Sequence, residues 1–401
     1  MRINTDFIRK CVGLQDIKIT YVNINKGIFE IFATSAFDFA NCPKCGQLTQ
    51  QPHDKRYQSY EHLPIWGLKT VIILEIKRYK CSCDPEHPFD ENFKFIRKYQ
   101  RRTIPFEEYI FNLAHKNTIQ NIAELIGISH NACQRIYNYY AKQKLATKKP
   151  KKLELLGIDD IAVKKGHNYN TVIYNQETGS SIDVIEGRTK KDVLDYFKTL
   201  PQEVKDQIKA VSMDMSKGYC AAVSESFSNA KVVIDRFHIT KNLHDKVDEI
   251  RRKIQNKAKK ENNKAKTFNI RWALLKKVEN LTGKELSNLL LAFEEYPVLE
   301  KLHYLKEEFS KFFTIKSKEA AHAFIDYFKE LVKEYEIVEL ESFSNTLNNW
   351  LEEILNYYDY QISNGLIEGN NHKIKNIKRR GYGYRNQDNF NLRVKLEFAF
   401  K

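Results

Sequence analysis

Apolar and polar positions alternate along this chain in four distinct ways. Up to about residue 100 the period is two, as in TVIILEIKRYK (70–80), where successive side chains of a strand point to opposite faces. In NTIQNIAELIGISHNACQRIYNYY (117–140), apolar Ile119, Ile122, Ala123, Ile128, Cys133 and Ile136 frame Gly127, which predicts a helix, a glycine turn and a second helix capped by Ser129 or Asn131. The third block predicts strands at LELLGID (153–159), YNTVIYN (169–175) and SIDVIEG (181–187), the last two joined by the turn QETGS. It continues with a helix KKDVLDYFKTL, a buried strand IKAVSMD, a helix KGYCAAVSESF and a strand KVVID, giving the order βββαβαβ. From 239 to about 355 apolar residues recur three and four apart, so this stretch reads as an inserted helical domain, far too long for a loop. Trp272 and Trp350 fall inside it and are expected in its core.

Basic joints at 92–105 and 141–152 separate these patterns. The expected segments are 1–100, zinc-binding; 101–148, helix-turn-helix; 149–238, first part of an α/β core; 239–355, helical insertion; and 356–401, last part of that core with a basic tail.

Composition narrows the class. With 401 residues, 42% of them apolar, the chain can bury one large core and small satellites. No apolar run approaches the roughly 18 residues needed to cross a bilayer, and MRINTDFIRKCVGL lacks the apolar heart of a secretory signal, so the expected location is the cytoplasm, with no membrane partner. Lys and Arg outnumber Asp and Glu by 66 to 51, a net charge of +15 that suits a polyanionic partner. Seven cysteines, four of them packed into two short pairs, favour metal ligation over a disulfide framework.

Those pairs are Cys42-Pro-Lys-Cys45 and Cys81-Ser-Cys83, four thiols suited to a structural, tetrahedral zinc ion. The single spacer of the second pair leaves open whether both its thiols serve, and His87 is an alternative ligand. In the helix-turn-helix segment, Asn131, Gln134 and Arg135 are placed to face DNA base edges in a major groove. A mixed sheet of βββαβαβ order with one Asp on its first strand and another ending its fourth is the layout of an RNase H-like fold. Asp159 and Asp214 take those places, and adjacent strands lie close enough for two carboxylates to share a divalent ion. Asp159 and Asp160 point to opposite faces, so only one can line the site. In-line attack on a phosphodiester uses a pair of Mg2+ or Mn2+ ions held by carboxylates. No GxxxxGK[ST] loop occurs, so no nucleotide cofactor is expected.

At LGIDDIAVKKGHNYNTVIYN, VSMDMSKGYCAAV, VVIDRFHITKNLHDKVDEIRR and SNGLIEGNNHKIKNIKRRGYGYRNQDNFNLRVKL the chain resembles the ISL-three family of bacterial insertion-sequence transposases, over nearly its whole length. The resemblance implies catalytic carboxylates at Asp159, Asp214 and Glu368, preferring Asp159 to Asp160, and a DxxH signature at Asp235 and His238. It further implies cleavage of DNA strands at terminal inverted repeats by two-metal hydrolysis, joining of the 3′-OH ends to target DNA, and a homo-oligomer on DNA. A helix bearing Glu368 would carry Asn364, Asn371 and His372 on nearly the same face. Beyond it, Lys373, Lys375, Lys378, Arg379, Arg380 and Arg385, interleaved with Tyr382 and Tyr384, read as a phosphate-gripping tail. A non-catalytic DNA-binding regulator and an RNase H-like nuclease are the other readings of the same residues.

Overall fold

The computed structural model describes residues 5–147, 152–162, 169–260, 270–363 and 365–399; the side chains of Thr5, Asp6, Ala258, Lys259, Lys260, Leu366 and Glu368 lie outside that description. The chain forms two units, Met1–Lys144 and Leu145–Lys401.

In the first unit, α1 (Thr5–Val12) precedes β1 (Ile17–Asn25), β2 (Ile28–Ser35), β3 (Ala40–Asn41), β4 (Leu48–Thr49), β5 (Gln51–Ile65), β6 (Leu68–Cys81) and β7 (Asp84–Asp90). The main sheet runs β1-β2-β6-β5, with β7 added to the end of β6, and β3 pairs with β4 as a small hairpin. On β6 the alternation expected for TVIILEIKRYK holds: Ile72, Leu74 and Ile76 are buried with Phe29, Ile31 and Ile17. Three helices follow, α2 (Ile104–Lys116), α3 (Ile119–Ile126) and α4 (His130–Ala146).

The second unit opens with β8 (Leu155–Ala162), β9 (Tyr169–Asn175) and β10 (Ser180–Glu186), then α5 (Lys190–Lys198), α6 (Gln202–Lys205), β11 (Ala210–Met213), α7 (Lys217–Ser226) and β12 (Lys231–Ile234). Its sheet runs β10-β9-β8-β11-β12. The first three strands are antiparallel neighbours, whereas β11 and β12 join parallel to β8. The elements follow the expected order with three differences: β8 continues past Asp159 to Ala162, because the antiparallel partner β9 supplies ladder bonds there, Asp159 facing Val172; a short helix, α6, follows Pro201; and β11 and β12 end one residue before Asp214 and Asp235.

Next comes α8 (Arg236–Lys260), followed by α9 (Arg271–Leu275), α10 (Gly283–Glu295), α11 (Pro297–Ser310), α12 (Lys318–Glu334), α13 (Val338–Asn349), α14 (Leu351–Leu355) and α15 (Tyr357–Tyr360). One apolar core runs from the sheet residues Leu156, Ile158, Val211, Met213 and Ile234 through α5, α7 and α8 to Phe309, Phe328 and Phe343 of the helical stretch. Trp350 is buried as expected, but Trp272 is 63% exposed. The short helix α9 buries Ala273 and Leu274, which turns the indole outward, with the Arg271 guanidinium 4.9 Å from its ring.

The last helices, α16 (Gly365–Arg380) and α17 (Gln387–Ala399), cover the other face of the sheet. Ile367, Ile374 and Ile377 of α16 and Phe390, Val394 and Phe398 of α17 pack on Ile161, Val172, Tyr174 and Val184. Close approach is built in at Gly157: a Cβ there would lie 2.5 Å from the Ile367 Cδ1 and 2.6 Å from the Gln176 Nε2.

Candidate functional site

The parallel strands β8, β11 and β12 bring a row of three aspartates to the same end of the sheet. Ser212 lies beside Gly157 and Val233 beside Ser212; Asp159 follows Gly157 by two residues on β8, while Asp214 and Asp235 come directly after the last residues of β11 and β12. Leu156, Ile158, Val211, Met213, Val232 and Ile234 all enter the large core, so the alternate positions turn toward α16. The charge of Asp214 acts on Asp159, so these two carboxyl groups lie near one another, but among the described residues the three aspartates do not close into a ligand cluster.

Helix α16 reaches this row from above. The Asn371 Nδ2 donates to the Asp159 Oδ2 (2.6 Å), and the Asn371 Oδ1 accepts from the Tyr174 hydroxyl (2.5 Å). The Asp159 Oδ1 accepts from the backbone N–H of Asp160 (2.7 Å). Glu368 stands three residues before Asn371 on the same helix, neighbouring positions on a helical surface. Its side chain, like all of Asn364, lies outside the described residues.

Burial pushes the carboxyl groups of Asp159 and Asp214 above the usual range. The Asp160 N–H, His238 and the Asn371 amide pull Asp159 back, while the charge of Asp214 raises it further. For Asp214 the opposing charges are His238, Arg188 and Lys241. The Asp214 Oδ1 is buried without a hydrogen-bond partner. An orphaned carboxylate oxygen near a second, half-buried carboxylate is a donor set that suits a hard divalent cation. Asp235 is buried, and its Oδ2 lies 4.0 Å from the His238 Nε2. Asp160 turns to Tyr219 and Thr171, its Oδ1 accepting from both hydroxyls, and burial, with the nearby charges of Asp214 and Asp159, pushes its carboxyl up to about 6.

In the first unit, four sulphurs converge. Gly46, at φ 75°, lets the chain double back so that its N–H donates to the Cys42 carbonyl (2.8 Å). This knuckle faces the turn between β6 and β7. The Sγ atoms of Cys42 and Cys83 are 3.6 Å apart, as are those of Cys45 and Cys81, and all four lie within 4.8 Å. The single spacer is accommodated because Cys81 ends β6 while Cys83 sits in the turn. Backbone N–H groups of Cys45 and Lys44 pull the Cys42 thiol down to about 7; hydrogen bonds to Cys45, Cys81 and Cys42 push that of Cys83 up to about 12. Four thiolates this close repel one another, a conflict that a tetrahedral divalent ion resolves. His87 instead bonds to Asp84 (2.8 Å) and is no part of the cluster.

The helix-turn-helix is capped at each joint. The Thr118 Oγ1 accepts from the Asn121 N–H (3.0 Å), Gly127 takes φ 73°, and the Ser129 Oγ accepts from the Ala132 N–H (3.2 Å), so Ser129 rather than Asn131 is the cap. Ile122, Ala123, Cys133 and Ile136 are buried between the helices. Asn131 and Arg135 are exposed, and the half-buried Gln134 bonds to Asn138 (2.8 Å).

Known proteins repeat this arrangement in the same order. The ISL3 transposase model matches residues 156–394, the zinc finger of the IS204/IS1001/IS1096/IS1165 transposases matches 38–83, and the helix-turn-helix domain of transposase family ISL3 matches 91–141. The chain belongs to the ISL3 family of insertion-sequence transposases. It is 25% identical over 362 residues to the transposase for insertion sequence element IS1001 of Bordetella parapertussis, covering 89% of this chain and 88% of that one. With the transposase for insertion sequence element IS1557 of Mycobacterium tuberculosis (strain CDC 1551 / Oshkosh) it shares 24% over 343 residues, 80% of this chain and 77% of that one.

Membership implies DNA binding through the helix-turn-helix, and the four-cysteine cluster of a zinc ribbon supports structural zinc. Among the described residues, no helix of the transposase is long and apolar enough to cross a membrane. In its basic tail, Lys375, Arg379 and Arg385 are exposed, and Lys378 is half-buried. Arg380 pairs with Glu397, and the Lys373 Nζ donates to the Glu397 carbonyl (2.7 Å). Tyr384 packs against the core beside Phe390, whereas Tyr382 is exposed. Sequence reasoning missed Arg188, Lys241 and the support that Tyr174 gives Asn371. The spacing of Lys241 three residues after His238 was a signal for one of these; nothing local marks Arg188.

Proposed function

We propose that this transposase cuts and joins DNA at a carboxylate centre of RNase H-like type formed by Asp159, Asp214 and Glu368. The observation that carries the reading is the approach of Asp159 and Asp214 at the same end of the paired strands β8 and β11, where the charge of Asp214 acts on Asp159, with the Asp214 Oδ1 buried and unpartnered. Strand order β10-β9-β8-β11-β12, with β9 antiparallel to both neighbours, supports the RNase H-like assignment.

Asp159, Asp214 and Glu368 are the residues that would hold a pair of Mg2+ or Mn2+ ions. When bound, such ions polarise the attacking oxygen and stabilise the leaving oxygen of a phosphodiester. The chain's own residues prepare that chemistry. Asn371, fixed by Tyr174, holds the Asp159 carboxylate in one orientation. His238, Arg188 and Lys241 lower the cost of placing two half-buried carboxylates near one another, and Arg188 and Lys241 offer positive charge to the scissile phosphate. Asp235 and His238 support this end of the site from β12 and α8. The same centre serves both steps: hydrolysis frees a 3′-OH at each element end, and that hydroxyl then attacks target DNA. The zinc ribbon and the helix-turn-helix, through Asn131, Gln134 and Arg135, select the terminal repeats, and Lys375, Lys378, Arg379 and Arg385 grip phosphates. Pairing two ends calls for a homo-oligomer on DNA.

The test uses duplexes copied from the inverted repeats that flank the coding region. Wild-type protein with Mg2+ is expected to nick them and to join the 3′ ends to a plasmid. Nicking without any joined product would reduce the protein to a nuclease, and binding without either would make it a regulator.

A further inference from the structure

We infer that the cavity beside the carboxylates receives one unpaired nucleobase from the DNA strand being cut, a reading that rests on the function proposed above. The cavity measures about 530 Å³, within the ~300–1,000 Å³ typical of small-ligand sites. Asp235, from the aspartate row, and Gly365, the first residue of α16, both line it, so its occupant would adjoin the reacting phosphate.

Its walls fit a flat ring carrying an anionic tether. Phe237, two residues after Asp235, is 59% exposed, with His238 edge-on at 5.5 Å. The Phe237 ring, touched at its edge by His238, leaves a face open beside a charged centre, which suits the face of a base. Phe313 stands in the same lining, and the Arg236 guanidinium lies 5.6 Å from its ring and 5.1 Å from that of Tyr357. Lys277, in an exposed ion pair with Glu279 at 3.8 Å, adds a second cation at the cavity, whose lining also carries the carboxylates of Asp235 and Glu307. Lys306 is committed elsewhere, to the Lys276 carbonyl and to Glu307 at 2.5 Å. Aromatic faces with Arg236 and Lys277 therefore present what a nucleotide needs: stacking for the base and cations for its phosphates. A paired base remains within the duplex stack, so the occupant must be extrahelical, and stacking on Phe237 offsets the loss of its neighbours.

The experiment places 2-aminopurine, one position at a time, at each nucleotide flanking the cut in the element-end duplexes, and binds full-length protein in Ca2+ to hold cutting. Fluorescence is expected to rise about threefold or more at one position, reporting a base that has left the duplex stack. Phe237→Ala, a change at an exposed side chain, is expected to lose the rise and to cut slowly in Mg2+, while Phe237→Trp keeps the cutting. Deleting that base from the duplex is expected to restore cutting by Phe237→Ala, because no unstacking is then required. A wild-type protein that cuts these duplexes while every position stays dark overturns the cavity assignment, as does an undiminished rise with Phe237→Ala. Failure of the wild type to cut at all overturns instead the function on which the inference rests.

Discussion

Asp214 is the residue on which most depends, because it combines burial, a raised pKa and an oxygen without a partner. Asp214→Asn preserves shape while removing the charge. Strand cleavage is expected to fall on the order of 10⁴-fold, as when one member of a cooperating catalytic set is removed. End binding, measured by gel shift, should change less than about twofold, since that contact belongs to other residues. Asn371 acts through Asp159. Asn371→Ala is expected to weaken Mn2+ binding ~10–100-fold, read by paramagnetic resonance, the usual cost of losing a hydrogen bond that orients a ligand. Asp160 gives a pH signature. Its folded pKa of about 6 lies above the ordinary 3.8, so folding favours the protonated form. That contribution is complete below about pH 3.8 and is lost as pH rises through 6. Asp160→Asn should therefore melt higher than wild type in metal-free buffer at pH 7 to 8, with the gap closing toward pH 4. A gap independent of pH would contradict the assignment.

At the scale of elements, the proposed site needs α16 to bring Glu368 and Asn371 to the sheet, and Gly157 determines how near α16 can sit. Gly157→Ala inserts a methyl against buried Ile367 and Gln176 and is expected to cost about 1–3 kcal/mol in denaturant unfolding, with cleavage reduced as α16 lifts from Asp159. The strands and helices of this unit were legible in the chain because period-two and period-three-to-four patterns survive wherever one face is buried. Asp159 and Asp214 could be chosen because each ends an apolar run that reads as a strand. Their partner Asn371 was only a position on a helical face, since a contact across 212 residues leaves no local trace. Trp272 was misjudged for a related reason. Its spacing matched a helix, but the helix proved five residues long and spent its buried positions on Ala273 and Leu274. The CxC spacing misled less, because a strand end and a turn can present both thiols from one residue apart.

Across the whole molecule, the zinc ribbon and helix-turn-helix lie in one unit and the proposed carboxylate centre in the other, so the proposal gives each unit its own metal. Chelating zinc, or Cys42→Ser, is expected to unfold the ribbon and abolish end binding while the second unit keeps its helical circular dichroism; one zinc per chain should be found by elemental analysis. Arg135→Ala should weaken end binding and reduce the slope of log affinity against log salt by about one if it meets a phosphate, or relax specificity at one base pair if it meets a base edge. The most direct test of the account is cleavage of element-end duplexes by Asp214→Cys in Mg2+ and in Mn2+. A thiolate is a poor ligand for hard Mg2+ and a better one for Mn2+, so activity is expected below ~1% of wild type in Mg2+ and at least ~10-fold higher in Mn2+. Undiminished cutting in Mg2+, or equal loss in both metals, would contradict a metal-holding role for Asp214.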